Sequence, residues 1–257
     1  MAMKPKISLA LGFFLLISGV GLGMADTDKF KLQDGDSIVF LGDSITQAGA
    51  RPEGYVTLFR LFCHVNGYEV NVINEGISGH RSNDMLDRLD RDVINHNPTW
   101  VSISCGVNDV WHNFGRNRQG IKKNRGVPFP EYKKNMTEIV ERCQKAGIKV
   151  LMLTATPIYE DLSSEENQEL EKYNNFLRQL AKKKDLLLCD LNAIFQSWYK
   201  KKTSHDENLL TTDGVHMNPR GNRLMAKHIA YTLGATGQEE RRYSKRVELV
   251  NNMQPID

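Results

Sequence analysis

The segment SIVFLGDSIT at positions 37–46 decides the fold. Its first part, 37–41, is a nearly continuous apolar run, which is typical of a parallel strand covered on both faces. Four further short runs also predict strands; they lie at 70–74, 100–105, 149–154 and 186–190. The chain is therefore expected to build a sheet of five strands, with the 37–46 segment as its first strand and the turn that follows.

Helical periodicity separates these predicted strands. Apolar side chains recur every three to four residues over 55–62, 132–143, 170–180 and 226–233, and a shorter helix is predicted over 86–93 after a Ser82 cap. Strands that alternate with helices predict a doubly wound parallel sheet. The longest segment without such a pattern, from Val110 to Pro128, is predicted to be an irregular loop.

The first 25 residues have the pattern of a secretory signal peptide. Lys4 and Lys6 precede an apolar run from Ile7 to Val20, and small residues follow up to Ala25. We expect cleavage near Ala25, export to the periplasm or the outside, and no stable membrane association afterwards. An uncleaved anchor is the alternative, although residues 7–23 are at the short limit for a bilayer span. The mature chain is then one domain, 26–237, followed by a polar tail, 238–257.

Composition and charge exclude several classes of protein. Of the formal net charge of +3, two charges lie in the signal segment, so the mature chain has no strongly basic character and no nucleic-acid partner is expected. The hydrophobic and charged fractions, 40% and 25%, are those of a globular protein. The four cysteines, Cys63, Cys105, Cys143 and Cys189, show no metal-binding spacing. Disulfides are possible after export, but buried thiols fit their apolar surroundings better.

Polar motifs follow the predicted strands. The chain reads GDSIT at 42–46, NEGISG at 74–79 and GVND at 106–109, and DGVH at 213–216 precedes the last predicted helix. Ligands of open α/β sheets bind beyond the carboxyl ends of the strands. The four motifs are therefore expected to lie on one edge of the sheet.

These motifs contain the groups that acyl transfer needs. Serine is a weak nucleophile until a base takes its proton, and the base needs a third group to fix its tautomer. Ser44, His216 and Asp213 can fill these roles, because an aspartate three residues before a histidine can reach the ring. The backbone N–H groups of Ser44 and Gly79 and the amide of Asn108 are candidate donors to an oxyanion.

The motifs resemble, in order, those of the SGNH (GDSL-type) hydrolase superfamily, over about residues 36–233. The resemblance implies that Ser44 is the nucleophile, that Gly79 and Asn108 are oxyanion donors and that Asp213 and His216 are the Asp-x-x-His pair. It also implies a three-layer α/β/α sandwich, flavodoxin-like, with a five-stranded parallel sheet in the order 2-1-3-4-5. The implied activity is that of a serine esterase without metal or cofactor.

Structural alternatives exist for each of these residues. Ser44 could be only a helix N-cap, His216 a partly buried structural histidine and Asp213 a cap of the last helix. The four motifs together favour the catalytic roles. Asp43 and Asp109 are expected to brace loops through hydrogen bonds rather than to react.

Two further features are candidates for substrate binding. The residues that directly follow the oxyanion motifs could line the cleft: His80, Arg81, Trp111 and His112. The segment from Arg116 to Arg125 carries five basic residues and no acidic one. It is either a solvated excursion or a lid that attracts an anionic glycan.

The expected function is an exported serine esterase that hydrolyses carboxylic esters through an acyl-serine intermediate. O-acetyl groups of carbohydrates are the first substrate candidate, because many exported members that the chain resembles are acetylesterases. A lipolytic enzyme of the lysophospholipase or thioesterase type is the alternative and would need an apolar groove. An inactive glycan-binding protein would have the triad residues misplaced. The sequence leaves the oligomeric state open.

Overall fold

The structure is a computed structural model, and it describes residues 31–66, 68–114, 124–201 and 208–234. Three predicted features lie outside these residues. They are the signal peptide at 1–25, the polar tail at 238–257 and all of the basic segment except Asn124 and Arg125.

The described residues form one five-stranded sheet. Its strands are β1 (Ser37–Gly42), β2 (Asn71–Gly76), β3 (Trp100–Ser104), β4 (Lys149–Leu153) and β5 (Leu187–Cys189). All neighbouring strands are parallel, and their order is β2-β1-β3-β4-β5. This confirms the predicted sheet and its order.

Nine α-helices connect the strands within the described residues. They are α1 (Ser44–Ala48), α2 (Tyr55–Val65), α3 (Ser82–Asp87), α4 (Leu89–Asp92), α5 (Val107–Phe114), α6 (Phe129–Lys145), α7 (Glu165–Lys183), α8 (Leu191–Tyr199) and α9 (Pro219–Thr232). Helices α2 and α9 pack together, and α6 packs against α3 and α7, so that helices flank the sheet in a three-layer α/β/α sandwich.

Aromatic side chains pack between these layers. Phe40 of β1 makes edge contacts with Tyr55 and Phe59 of α2, at ring centroid distances of 5.8 and 5.3 Å. Tyr132 of α6 and Tyr173 of α7 lie 4.7 Å apart, and both are buried. Such pairs add to the free energy gained from apolar burial alone, and here they fix the helices against the sheet.

Three sequence predictions about local structure were wrong. The segment from Val110 to Pro128 is not irregular throughout, because α5 continues to Phe114. The helix predicted over 86–93 is two short helices, α3 and α4, followed by a 3₁₀ turn at Ile94–His96. Ser82 is not the cap of α3: Arg81 precedes the helix, and the carboxylate of Asp84 accepts the backbone N–H of Arg81.

The parallel register brings the polar motifs to one edge. Gly42 and Gly76 are paired at the ends of β1 and β2, and β3 ends beside them at Ser104. The segments that begin at Asp43, Ile77 and Cys105 therefore leave the same edge of the sheet. All four cysteines are buried and none forms a disulfide. This agrees with the prediction of buried thiols in apolar surroundings.

Candidate active site

Ser44, His216 and Asp213 form a chain of hydrogen bonds. The Nε2 atom of His216 lies 2.9 Å from the Oγ atom of Ser44, and its Nδ1 atom lies 2.7 Å from a carboxylate oxygen of Asp213. When the ring donates its Nδ1–H to the carboxylate, Nε2 is left as the acceptor for the serine hydroxyl. This is the geometry in which a serine can lose its proton to an imidazole.

A tight turn presents the histidine to the serine. The second carboxylate oxygen of Asp213 accepts the backbone N–H groups of Val215 and His216, at 3.0 and 2.8 Å. Burial raises the pKa of Asp213, but these bonds and the bond from the imidazole outweigh it and hold the pKa below its usual value. Asp213 does not cap the last helix, because Asn218 caps α9. Its hydrogen bonds instead go to the turn and to the imidazole.

Asp43 braces the segment that carries the serine. It is the N-cap of α1, and one carboxylate oxygen accepts the backbone N–H of Ile45 at 2.9 Å. The side chain is buried, and desolvation raises its pKa to about 6. Asp43 is thus a loop brace, as predicted, and Ser44 is the first residue of α1 rather than its cap.

The three predicted donor N–H groups lie in the segments that leave this edge of the sheet. Neither the backbone N–H of Ser44 nor that of Gly79 has a hydrogen-bond partner among the described residues. The amide nitrogen of Asn108 donates to the carbonyl of His80 at 3.1 Å, and within the described part of the chain its one other hydrogen-bond contact is a long one of 3.5 Å to Asp43. One strong bond therefore orients this amide while its second hydrogen stays weakly bound.

Gly79 adopts a backbone conformation that favours glycine. Its φ is +79°, which side-chain-bearing residues rarely adopt. A Cβ atom there would meet nothing within 4 Å, so the space beside its Cα is open. Asp109, next to Asn108, is buried and accepts the backbone N–H of Ser82 at 2.9 Å, which is the structural role predicted for it.

The sequence matches the GDSL-like Lipase/Acylhydrolase family over residues 40–224, a span that contains the three residues of the hydrogen-bonded chain and the three candidate oxyanion donors. The chain belongs to this family. The resemblance to SGNH hydrolases is thereby confirmed, and the protein is a carboxylic ester hydrolase.

Two acetylxylan esterases are similar to this GDSL-like hydrolase over most of their length. An acetylxylan esterase of Geobacillus stearothermophilus is 28% identical over 217 residues, which are 79% of this chain and 96% of that protein. The crystal structure of another acetyl xylan esterase, AlAXEase, superposes with a TM-score of 0.70 at 33% identity and covers 77% of this chain and 99% of that one.

A third relative has a different substrate in its name. The mouse isoamyl acetate-hydrolyzing esterase 1 homolog is 26% identical over 208 residues, 73% of this chain and 77% of that protein. The relatives therefore share ester hydrolysis but differ in the alcohol part of the substrate.

The structure places the four candidate cleft residues of the GDSL-like hydrolase in different surroundings. Arg81 forms an ion pair with Asp84 at 3.0 Å, and the backbone carbonyl of His112 accepts the N–H of Arg125. The ring of His80 is partly buried, and its Nδ1 atom is buried without a hydrogen-bond partner among the described residues. Desolvation and the positive charge of Arg88 lower the pKa of this histidine. Trp111 donates its indole N–H to the hydroxyl of Tyr159.

A buried carboxylate that no sequence motif indicates holds the loop before Asp213. Glu160 is 6% exposed and accepts the backbone N–H groups of Leu209, Leu210 and Thr211 at 2.7, 2.8 and 2.9 Å. It also accepts the hydroxyl of Thr211, which in turn accepts the N–H of Gly214. The sequence gives no local signal for this, because the partners lie 49 to 51 positions away.

The described residues contain neither a candidate metal site nor a candidate membrane span. No group of three or more histidine, cysteine, aspartate or glutamate side chains could hold a metal ion there. In the same part of the chain, no helix combines the length and apolar character of a membrane span.

Proposed function

We propose that this protein removes acetyl groups from carbohydrate esters through an acyl-serine intermediate. The observation that carries the proposal is the chain of hydrogen bonds from Ser44 through His216 to Asp213. The acyl-transfer chemistry follows from this chain. The acetylated carbohydrate follows from the similarity to the two acetylxylan esterases.

In the first step, the Oγ atom of Ser44 attacks the ester carbonyl while Nε2 of His216 takes its proton. Asp213 holds the ring in the correct tautomer and stabilises the imidazolium that forms. The imidazolium then gives the proton to the leaving alcohol, and an acetyl-serine remains. Water attacks this ester with His216 again as the base, and acetate leaves.

The tetrahedral intermediates carry a negative oxygen that needs donors already in place. The unpartnered backbone N–H groups of Ser44 and Gly79 and the weakly bound second hydrogen of Asn108 are the donors in this proposal. Each such donor contributes roughly a hundredfold to a thousandfold in rate. Asp43 helps to position the donors of Ser44 and Asn108, because it caps α1 and lies next to the Asn108 amide.

The relatives support both the residue roles and the substrate. Solved structures of catalytic mutants of the Geobacillus stearothermophilus enzyme replace a serine, an aspartate or a histidine by alanine, and that aspartate and histidine are three positions apart. Asp213 and His216 have the same spacing. We further propose that residues 1–25 direct export, because the polymeric glycans of plants and cell envelopes lie outside the cytoplasm.

Hydrolysis of a small alkyl acetate is the second candidate function. It is favoured by the similarity to the isoamyl acetate-hydrolyzing homolog. The lipolytic alternative needs a long apolar groove beside the serine. The glycan-binding alternative requires a misplaced triad, whereas Ser44 and His216 lie within hydrogen-bond distance.

The test is a comparison of kcat/KM for acetylated xylo-oligosaccharides, isoamyl acetate and p-nitrophenyl esters of two to eight acyl carbons. The proposal predicts the highest value for the acetylated oligosaccharide and a steep fall with acyl length. A preference for octanoate would support the lipolytic function instead. Ser44→Ala is the control, and activity that survives in it would contradict the mechanism.

A further inference from the structure

Tyr159 combines exposure with a rare backbone conformation. It is 46% exposed, and the one other large apolar side chain of the described residues that is so exposed is Trp198, at 40%. Its φ is +58°, and that of the following Glu160 is +55°. Bulky residues seldom adopt such values, and they keep them only where several surrounding contacts require them. Strained residues of this kind cluster at functional sites.

The contacts that hold Tyr159 come from the proposed catalytic turn. Its backbone N–H donates to the carbonyl of Gly214 at 2.7 Å, and Gly214 lies between Asp213 and His216. A Cβ atom on Gly214 would come within 2.7 Å of the Tyr159 ring, so the ring lies against the backbone of the turn. The position of this exposed ring is therefore coupled to that of the histidine.

Trp111 also contacts the side chain of Tyr159. Its indole N–H donates to the tyrosine hydroxyl, and the two rings meet edge to face with centroids 6.1 Å apart and planes at 79°. Trp111 stands three residues after Asn108 on α5, one helical turn from the proposed oxyanion donor. The Trp111–Tyr159 pair thus connects the helix that carries Asn108 with the turn that carries His216.

The proposed mechanism indicates which part of the substrate meets this pair. His216 protonates the leaving alcohol, so the alcohol lies on the histidine side of the serine. Tyr159 packs on the histidine's own turn and lies on that side too. A fixed aromatic face with a polar edge suits a sugar ring, which presents C–H groups on its faces and hydroxyls around its rim.

We propose that Tyr159, held by Trp111 and Gly214, is a binding surface for the sugar ring that carries the acetyl group, and so determines specificity for the alcohol. This inference rests on the proposed function and deepens it, since it names the residue that separates a carbohydrate ester from a simple alkyl acetate. Tyr159 acts by contact with a part of the substrate that does not react. Its effect is therefore expected mainly in KM.

The experiment compares kcat/KM for an acetylated xylo-oligosaccharide with that for isoamyl acetate in four proteins. They are the wild type, Tyr159→Gly, Tyr159→Phe and Trp198→Ala. Glycine adopts the positive φ without strain, so Tyr159→Gly removes the ring and keeps the backbone. Tyr159→Phe keeps the ring, and Trp198→Ala removes the other exposed aromatic side chain as a matched control.

We expect Tyr159→Gly to lower the ratio of the two kcat/KM values by about tenfold, through KM for the oligosaccharide. Tyr159→Phe keeps the ring but loses the hydroxyl that accepts the N–H of Trp111, so its ratio should lie between those of the wild type and Tyr159→Gly. Trp198→Ala should keep the ratio within about twofold of the wild type. An unchanged ratio in Tyr159→Gly, in a wild type that cleaves the oligosaccharide, would overturn this inference alone. Failure of the wild type to cleave the oligosaccharide would overturn the proposed function with it. A gain in activity on esters with longer acyl chains in Tyr159→Gly would also overturn the inference about Tyr159. The ring would then restrict the length of the acyl group instead of binding the sugar.

Discussion

The buried carboxylate of Glu160 accepts both the backbone N–H and the hydroxyl of Thr211, at 2.9 and 2.7 Å. The same hydroxyl accepts the N–H of Gly214 at 3.2 Å. Two hydrogen bonds therefore lead from Glu160 to the turn that presents His216 to Ser44. The loop after β4 thus contacts the turn that carries His216 and also carries the Tyr159 ring.

Replacement of Glu160 is expected to reduce stability and activity together. Glu160→Ala leaves three backbone N–H groups without their acceptor, and buried unsatisfied donors cost about 1–3 kcal/mol each. We expect a loss of at least 3 kcal/mol in the free energy of urea unfolding, and a fall in kcat for p-nitrophenyl acetate at temperatures where the variant is folded. Glu141→Ala is the control, since its exposed pair with Lys184 contributes about 0–1 kcal/mol. A folded Glu160→Ala protein with wild-type kcat would show that Glu160 does not position the turn.

The three residues of the triad should differ in how much activity their removal costs. Ser44→Ala removes the nucleophile, and kcat for p-nitrophenyl acetate should fall to background. Asp213→Ala leaves the nucleophile and the base, and its kcat should fall by roughly 10²- to 10⁴-fold, less than in Ser44→Ala. Steady-state kinetics with active-site titration measures both. Equal kcat in Asp213→Ala and the wild type would remove Asp213 from the mechanism.

Asp43 gives a test through the pH dependence of stability. Its pKa of about 6 lies above the usual value of 3.8, so the folded state binds the proton more tightly than the unfolded state does. The protonated Asp43 side chain therefore stabilises the folded state at low pH. This contribution to the free energy of unfolding is lost as the pH rises from about 4 to 6. The shift corresponds to about 3 kcal/mol.

Asp43→Asn should remove this loss, because the amide does not titrate and can still accept the N–H of Ile45. We expect the variant to gain stability relative to the wild type between pH 4 and pH 7, and to lose activity because Asn108 and α1 lose a charged partner. Urea unfolding at several pH values measures the first effect. A stability difference that does not change over this range would contradict the raised pKa.

Two glycines near the serine should respond differently to alanine. A Cβ atom on Gly76 would lie 2.1 Å from the backbone nitrogen of Gln47, so Gly76→Ala must displace the helix α1 that begins at Ser44. A Cβ atom on Gly79 meets nothing within 4 Å, and its cost is limited to backbone strain of about 1–2 kcal/mol. Thermal unfolding should show the larger loss for Gly76→Ala. The opposite order would mean that Gly79 packs more tightly than the structure shows.

The sheet could be predicted well because parallel strands buried on both faces appear in the sequence as nearly continuous apolar runs. The predicted strands agree with the observed ones to within two residues at each end, and the motifs at their carboxyl ends meet as expected. The hydrogen bond between Ser44 and His216 joins residues 172 positions apart, yet it was predictable because each lies in a motif. The roles of the individual site residues in catalysis stay predictions.

Other features had no comparable signal. Helix α8 is short, and its N-cap, Asp190, was assigned to the end of a strand. Helix α5 begins inside the GVND motif, where Gly106 and the polar residues suggested a loop. Glu160 and Tyr159 act through partners some 50 positions away, in contacts that only the folded chain creates.

Covalent labelling of the intact protein with a fluorophosphonate, followed by peptide mass spectrometry, tests whether Ser44 is the nucleophile. The reagent reacts with a serine whose proton is taken by a neighbouring base. We predict one phosphonylated residue, Ser44, with complete loss of esterase activity, and labelling that is at least about a hundredfold slower in His216→Ala. A label on another residue, or full activity in protein stoichiometrically labelled at Ser44, would show that Ser44 is not the nucleophile.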